Sequence, residues 1–88
     1  MKDFVKEYCN ILPSVVIYDD EIESKINFAR EQLKIAGVTQ DETNPVVKEY
    51  IATYVRYHMV SEPSKVFVDI ETKRMLSLLE LLTYGVSV

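Results

Sequence analysis

The stretch TNPVVKEYIATYVRYHM, residues 43–59, decides the fold that we predict for this chain of 88 residues. Asn44 is a favourable N-cap, and Pro45 suits the first helical position, where its missing N–H group leaves no hydrogen bond unmade. At about 100° per residue, the apolar and aromatic side chains cover about half of the helix circumference. A helix with so wide an apolar arc is buried by several neighbours, so we expect the central helix of a bundle, or one that also serves an interface.

The predicted apolar arc contains Val46, Val47, Tyr50, Ile51, Tyr54, Val55 and Tyr57. The remaining sector holds Lys48, Glu49, Thr53 and Arg56, with Ala52 and Met59 at its edge. His58 projects within the arc, between Val47 and Ile51. A catalytic or metal-binding role would need partners, and the chain has no second histidine, no pair of cysteines and no HExxH motif. We therefore expect His58 to be packed or to lie at the edge of an interface.

A short first helix and a connector are predicted at the start of the chain. Asp3 is expected to cap this helix, which runs to about Leu12 and is stopped by Pro13. SVVIY, residues 14–18, is rich in β-branched residues and too short for a helix, so we predict an extended connector.

The second helix is predicted from about Glu21 to Ala36. Asp20 and Glu23 resemble a capping box with aspartate in the cap position, and Gly37 is a natural C-terminal stop. A narrow apolar stripe is expected to face the core, and it consists of Ile22, Ile26, Ala29, Leu33 and Ala36. The acidic run that precedes the helix fits the favourable placement of acids at helix N-termini, and it lacks the alternating ligands of a calcium loop.

The fourth helix is predicted over roughly residues 64–83, beginning near Ser61 or Ser64. KVFVDI, residues 65–70, has strand-like composition, so the state of residues 64–69 stays open between helix and extended chain. IETKRMLSLLELLTY, residues 70–84, is helical in composition and carries leucines around its circumference. The chain is thus predicted to be all-α: one domain, residues 1–88, forming a small bundle of about four helices with a short first helix.

Composition and charge exclude several classes of protein. The chain is 48% hydrophobic and 27% charged, with two glycines and three prolines, which is typical of a globular helical protein. Its net charge is −4 and no basic stripe is visible, which argues against specific binding of nucleic acid. No signal peptide and no apolar run of membrane-spanning length is visible, so we expect a protein of a reducing cytoplasm with no membrane partner. Cys9, the lone cysteine, is expected to be a small buried residue.

No pattern for enzyme chemistry is present in the sequence. The serines have no adjacent base, and glycine is too scarce for a phosphate-binding loop. We therefore predict no enzymatic activity, no cofactor, no catalytic residues and no metal site.

The predicted helices have more apolar surface than the interior of a small bundle can bury, so we predict contact with other chains. Phe28 and Ile35 are seven residues apart and lie on a different side of the second helix from its core stripe, so we expect them to contact another subunit. The alternative for Phe28 is that it packs under a neighbouring loop of the same chain. Tyrosine is common in protein–protein hot spots. The predicted interface residues are Phe28, Ile35, Tyr50, Tyr54, Tyr57, Phe67, Leu78 and Leu82. A well-filled core without any partner is the alternative for the wide faces of the third and fourth helices.

Two segments carry a resemblance to a known family. DDEIESKINFAREQLK, residues 19–34, combines an acidic cap with an amphipathic helix that has Ala-Arg-Glu near its middle, and NPVVKEYIATYVRYHM, residues 44–59, follows it. With the short leading helix and the leucine-rich close, this order resembles the head-to-tail connector (adaptor) proteins of tailed bacteriophages and prophages over residues 3–84. The chain departs from that pattern at KVFVDIETKRMLSLLELL, where many relatives have a segment containing proline and arginine.

The resemblance implies a structural virion protein, made in the host bacterial cytoplasm and located at the head–tail junction. Such proteins assemble as a ring of about twelve copies under the portal protein after DNA packaging. The ring extends the DNA channel and seats the next tail or head-completion protein. The alternative function is a small cytoplasmic protein-binding or regulatory module with an apolar, tyrosine-lined groove.

Overall fold

A computed structural model describes residues 1–60 and 62–83, and these residues form four helices and no strand. The helices are α1 (Lys2–Tyr8), α2 (Asp19–Ile35), α3 (Pro45–Met59) and α4 (Lys65–Thr83). The predicted all-α class and the short first helix are confirmed. Residues 64–69, which the sequence left open, belong to α4 apart from Ser64. Ser61, one of its two predicted start positions, lies outside the described residues.

Helix α3 is the centre of the bundle, and α1, α2 and α4 all pack against it. This confirms the prediction made from its wide apolar arc. The core combines one residue of α1, the apolar stripe of α2 and five residues of α3: Val5, Ile22, Ile26, Ala29, Leu33, Val47, Tyr50, Ile51, Ala52 and Val55. Ala36, predicted as the end of the α2 stripe, is exposed because it lies just past the last turn of that helix.

The predicted polar side of α3 is partly wrong. Thr53 was assigned to that side and Ala52 to its edge, but both residues are fully buried. They are buried because helix α1 packs against this side of α3. The Thr53 hydroxyl lies 3.0 Å from the Tyr8 hydroxyl, and this hydrogen bond satisfies a polar group that would otherwise be buried without a partner.

The start of α1 and the connector differ from the prediction. Helix α1 begins at Lys2 with Met1 as its N-cap, so Asp3 lies in the first turn, where its charge favours the helix dipole. The helix ends at Tyr8 rather than near Leu12, because Asn10 adopts a left-handed conformation with φ 59°. The connector contains two turns, closed by hydrogen bonds from Val15 N to Leu12 O and from Asp19 N to Val16 O, and is not an extended segment.

The predicted capping box of α2 is wrong. The helix begins at Asp19, one residue before the expected cap, and its N-cap is Tyr18, which makes no side-chain capping bond. Asp19, Asp20 and Glu21 all lie in the first turn, where acidic groups favour the helix dipole. At the other end, Gly37 has φ 73°, the left-handed conformation that glycine adopts readily, so the predicted stop is confirmed.

The start of α3 agrees with the prediction. The Asn44 side-chain oxygen accepts a hydrogen bond of 2.9 Å from the amide of Val46, and Pro45 occupies the first helical position. We expect Asn44→Ala to lower the free energy of unfolding by about 1 kcal/mol, measured by urea denaturation, because that amide loses its acceptor. Gln40→Ala, an exposed change in the same loop, is the control and should alter stability by less than about 0.5 kcal/mol. Equal losses in the two variants would contradict the capping role.

Helix α4 packs by one face only. It starts beside Ser64, whose hydroxyl accepts a hydrogen bond of 3.1 Å from the amide of Phe67. Its side chains toward the core are half-buried: Met75, Leu78, Leu79 and Leu82. Within the described part of α4, the one buried residue is the acid Glu71. Its opposite side exposes Val66, Ile70, Leu76 and Leu81 to solvent.

Candidate interaction surfaces

The first candidate surface lies on α2, where two large apolar side chains point away from the core. Phe28 is 59% exposed and Ile35 is 76% exposed. The alternative that Phe28 packs under a loop is therefore wrong. The two side chains stand two turns apart, about 10 Å along the helix, with Glu31 between them on the same side of the helix. An apolar pair of this kind suits contact with another chain.

The tyrosines of α3 are less accessible than the sequence suggested. Tyr50 is buried in the core and offers little surface to a partner, whereas Tyr54 and Tyr57 are half-buried. The Tyr57 ring stacks on Phe67 of α4 with a centroid distance of 6.3 Å. Burial raises the pKa of Tyr50 and of Tyr54, so both phenols stay protonated at neutral pH. Leu78 and Leu82, also predicted as interface residues, are half-buried.

His58 is exposed near the end of α3 and packs against aromatic rings. Its ring centroid lies 4.3 Å from that of Tyr54 and 5.0 Å from that of Tyr57. Partial burial lowers the pKa of the imidazole, and the positive charge of Lys25 adds to that effect. The helical projection placed His58 beside the buried residues of α3. The residue is nevertheless exposed, because it lies in the last turn, where the neighbouring helices cover α3 less. Within residues 1–60 and 62–83, its ring has no carboxylate partner in a hydrogen bond or ion pair.

A buried polar cluster connects α1, α3 and α4. The Glu71 carboxylate, 3% exposed, pairs with the guanidinium of Arg56. The Arg56 guanidinium also stacks over the Tyr8 ring at 4.6 Å, and Arg74 donates a hydrogen bond of 3.0 Å to the Tyr8 hydroxyl. This cluster was not predicted from the sequence. One signal was available, because Glu71 shares a helical face with Met75, which makes it a charge on the apolar side of α4.

A groove beside α1 is the second feature that sequence reasoning missed. It encloses a cavity of about 580 Å³, and its described lining consists of Asp3, Glu7, Asn10, Ile11, Leu12 and Pro13. The left-handed Asn10 turns the chain back at the end of α1 and so forms one side of the groove. Its walls are apolar and its rim carries two carboxylates.

A buried lysine holds the connector beside this groove in place. The Lys6 ammonium donates hydrogen bonds to the carbonyl oxygens of Pro13, at 3.3 Å, and Val15, at 2.8 Å. It also forms an ion pair of 2.6 Å with Asp19 at the start of α2. Lys2 lies 3.5 Å from the same carboxylate. One side chain of α1 therefore fixes both the turns of the connector and the start of α2.

The ion pair of Asp19 predicts part of the acid sensitivity of the fold. The hydrogen bond from Lys6 holds the pKa of Asp19 below its ordinary value of 3.8, with Lys2 contributing. A depressed pKa adds stability that is fully present above the ordinary value and is lost as pH falls through the folded-state value. We expect Asp19→Asn to be less stable than the parent at pH 6, with the difference shrinking below about pH 3.8.

Urea denaturation of both proteins between pH 2 and pH 7 measures this difference. Asp41 provides a comparison, because hydrogen bonds from Thr43 lower its pKa without any lysine. Asp41→Asn should therefore also lower the free energy of unfolding above about pH 3.8 and less so below it. Adding Lys6→Met should leave the effect of Asp41→Asn unchanged. A stability difference for Asp19→Asn that does not vary with pH would contradict the assigned role.

Within the described ranges, no group of three or more histidine, cysteine or acidic side chains is placed to hold a metal ion. Cys9 is a half-buried free thiol rather than a fully buried one, and burial raises its pKa. None of the helices in residues 1–60 and 62–83 combines the length and apolar character that crossing a membrane requires.

Comparison of the chain with protein-family models, curated proteins and solved structures gave no match.

Proposed function

We propose that this protein is a structural component of a phage or prophage head–tail junction, which assembles as a ring under the portal protein. One observation carries the proposal: large apolar side chains are exposed on three separate faces of a small bundle. They lie on α2 (Phe28, Ile35), on α4 (Val66, Ile70, Leu76, Leu81) and on the connector (Leu12, Val16, Ile17). A ring subunit meets a neighbour on each of two sides and other proteins above and below, so it needs several such faces.

The charge of the chain fits a channel through which DNA passes. The net charge is −4, and the acidic residues are spread along the sequence. An acidic lining repels the phosphate backbone and keeps the DNA from adhering to the wall. In this role the ring extends the channel and seats the next tail or head-completion protein.

Light scattering after size exclusion, with and without a purified portal protein from the same genome, tests the proposal. We expect a ring-sized species, formed by the protein alone or on the portal. The variant Phe28→Ser/Ile35→Ser should weaken assembly, whereas Gln32→Ser, an exposed polar change on the same helix, should not. A protein that stays monomeric and ignores the portal at tens of micromolar would overturn the proposal.

The same experiment separates the alternative, a monomeric protein-binding module. The groove beside α1 favours that alternative, since a cavity of about 580 Å³ falls in the range of typical ligand sites, about 300–1,000 Å³. Its described lining contains none of the tyrosines from which the sequence predicted a groove. A stable monomer that recovers a partner unrelated to virion assembly, and loses it on Leu12→Ser, would support the module instead.

A further inference from the structure

We draw no further inference here: the strongest candidate, the groove beside α1 with its apolar walls and the carboxylates of Asp3 and Glu7, carries no proposal because nothing in the structure shows what covers it.

Discussion

Replacing Arg56 with methionine will lower the free energy of unfolding by about 2–4 kcal/mol, because it leaves the buried Glu71 carboxylate without its positive partner. Removal of one member of a buried pair has a far larger effect than removal of both. The Glu71→Met variant removes the other charge and should be less harmful than Arg56→Met, since Arg56 is partly exposed and can reach water. Urea denaturation of the three proteins measures these differences.

The double variant Arg56→Met/Glu71→Met completes the cycle and is the control for loss of charge itself. We expect it to recover most of the stability lost in Arg56→Met, because two apolar side chains then meet between α3 and α4. A double variant no more stable than Arg56→Met would show that the pair contributes through packing or through the Tyr8 stacking, and not through charge compensation.

The second large effect concerns the centre of the core. Ile51 on α3 is fully buried, so Ile51→Ala leaves a cavity among α3 and its neighbours and should lower the free energy of unfolding by about 3–4 kcal/mol. A small domain has only about 5–10 kcal/mol of stability, so this variant is expected to melt about 12–30 °C lower. Calorimetry or thermal circular dichroism measures the shift.

Ile35→Ala is the matched control, since it makes the same chemical change on an exposed position of α2. It should change the stability of the single chain by less than about 0.5 kcal/mol. If Ile35 lies in a contact between copies, the control will instead lose stability as protein concentration rises, relative to the parent. Equal destabilisation of the two variants at low concentration would contradict the assigned core.

The helices could be predicted where the signal is local. Asn44 and Pro45 define the start of α3 through the first turn alone, and Gly37 ends the preceding helix by its own conformation. The central position of α3 could be predicted from its wide apolar arc, because a helix that is buried on several sides has apolar residues on all of those sides. The position of Phe28 outside the core was also readable from helical spacing.

The rest depends on which helix lies against which. Thr53 is polar, so spacing assigns it to solvent, and only the arrival of Tyr8 from a distant part of the chain makes it a buried residue. The groove beside α1 depends on the left-handed Asn10, a conformation that asparagine adopts only in some contexts. Tyr50 was predicted to be an interface residue but is buried, because the helical pattern does not show which of the tyrosines the neighbouring helices cover.

Helix α4 has a property that follows from how it is held. Its attachment combines half-buried side chains with one buried acid, whereas the core itself is built from α1, α2 and α3. Amide hydrogens in α4 should therefore exchange with solvent deuterium through separation of this helix alone, while those of α3 require opening of the whole domain. Slower exchange in α3 than in α4 would show that the domain contains two units of different local stability.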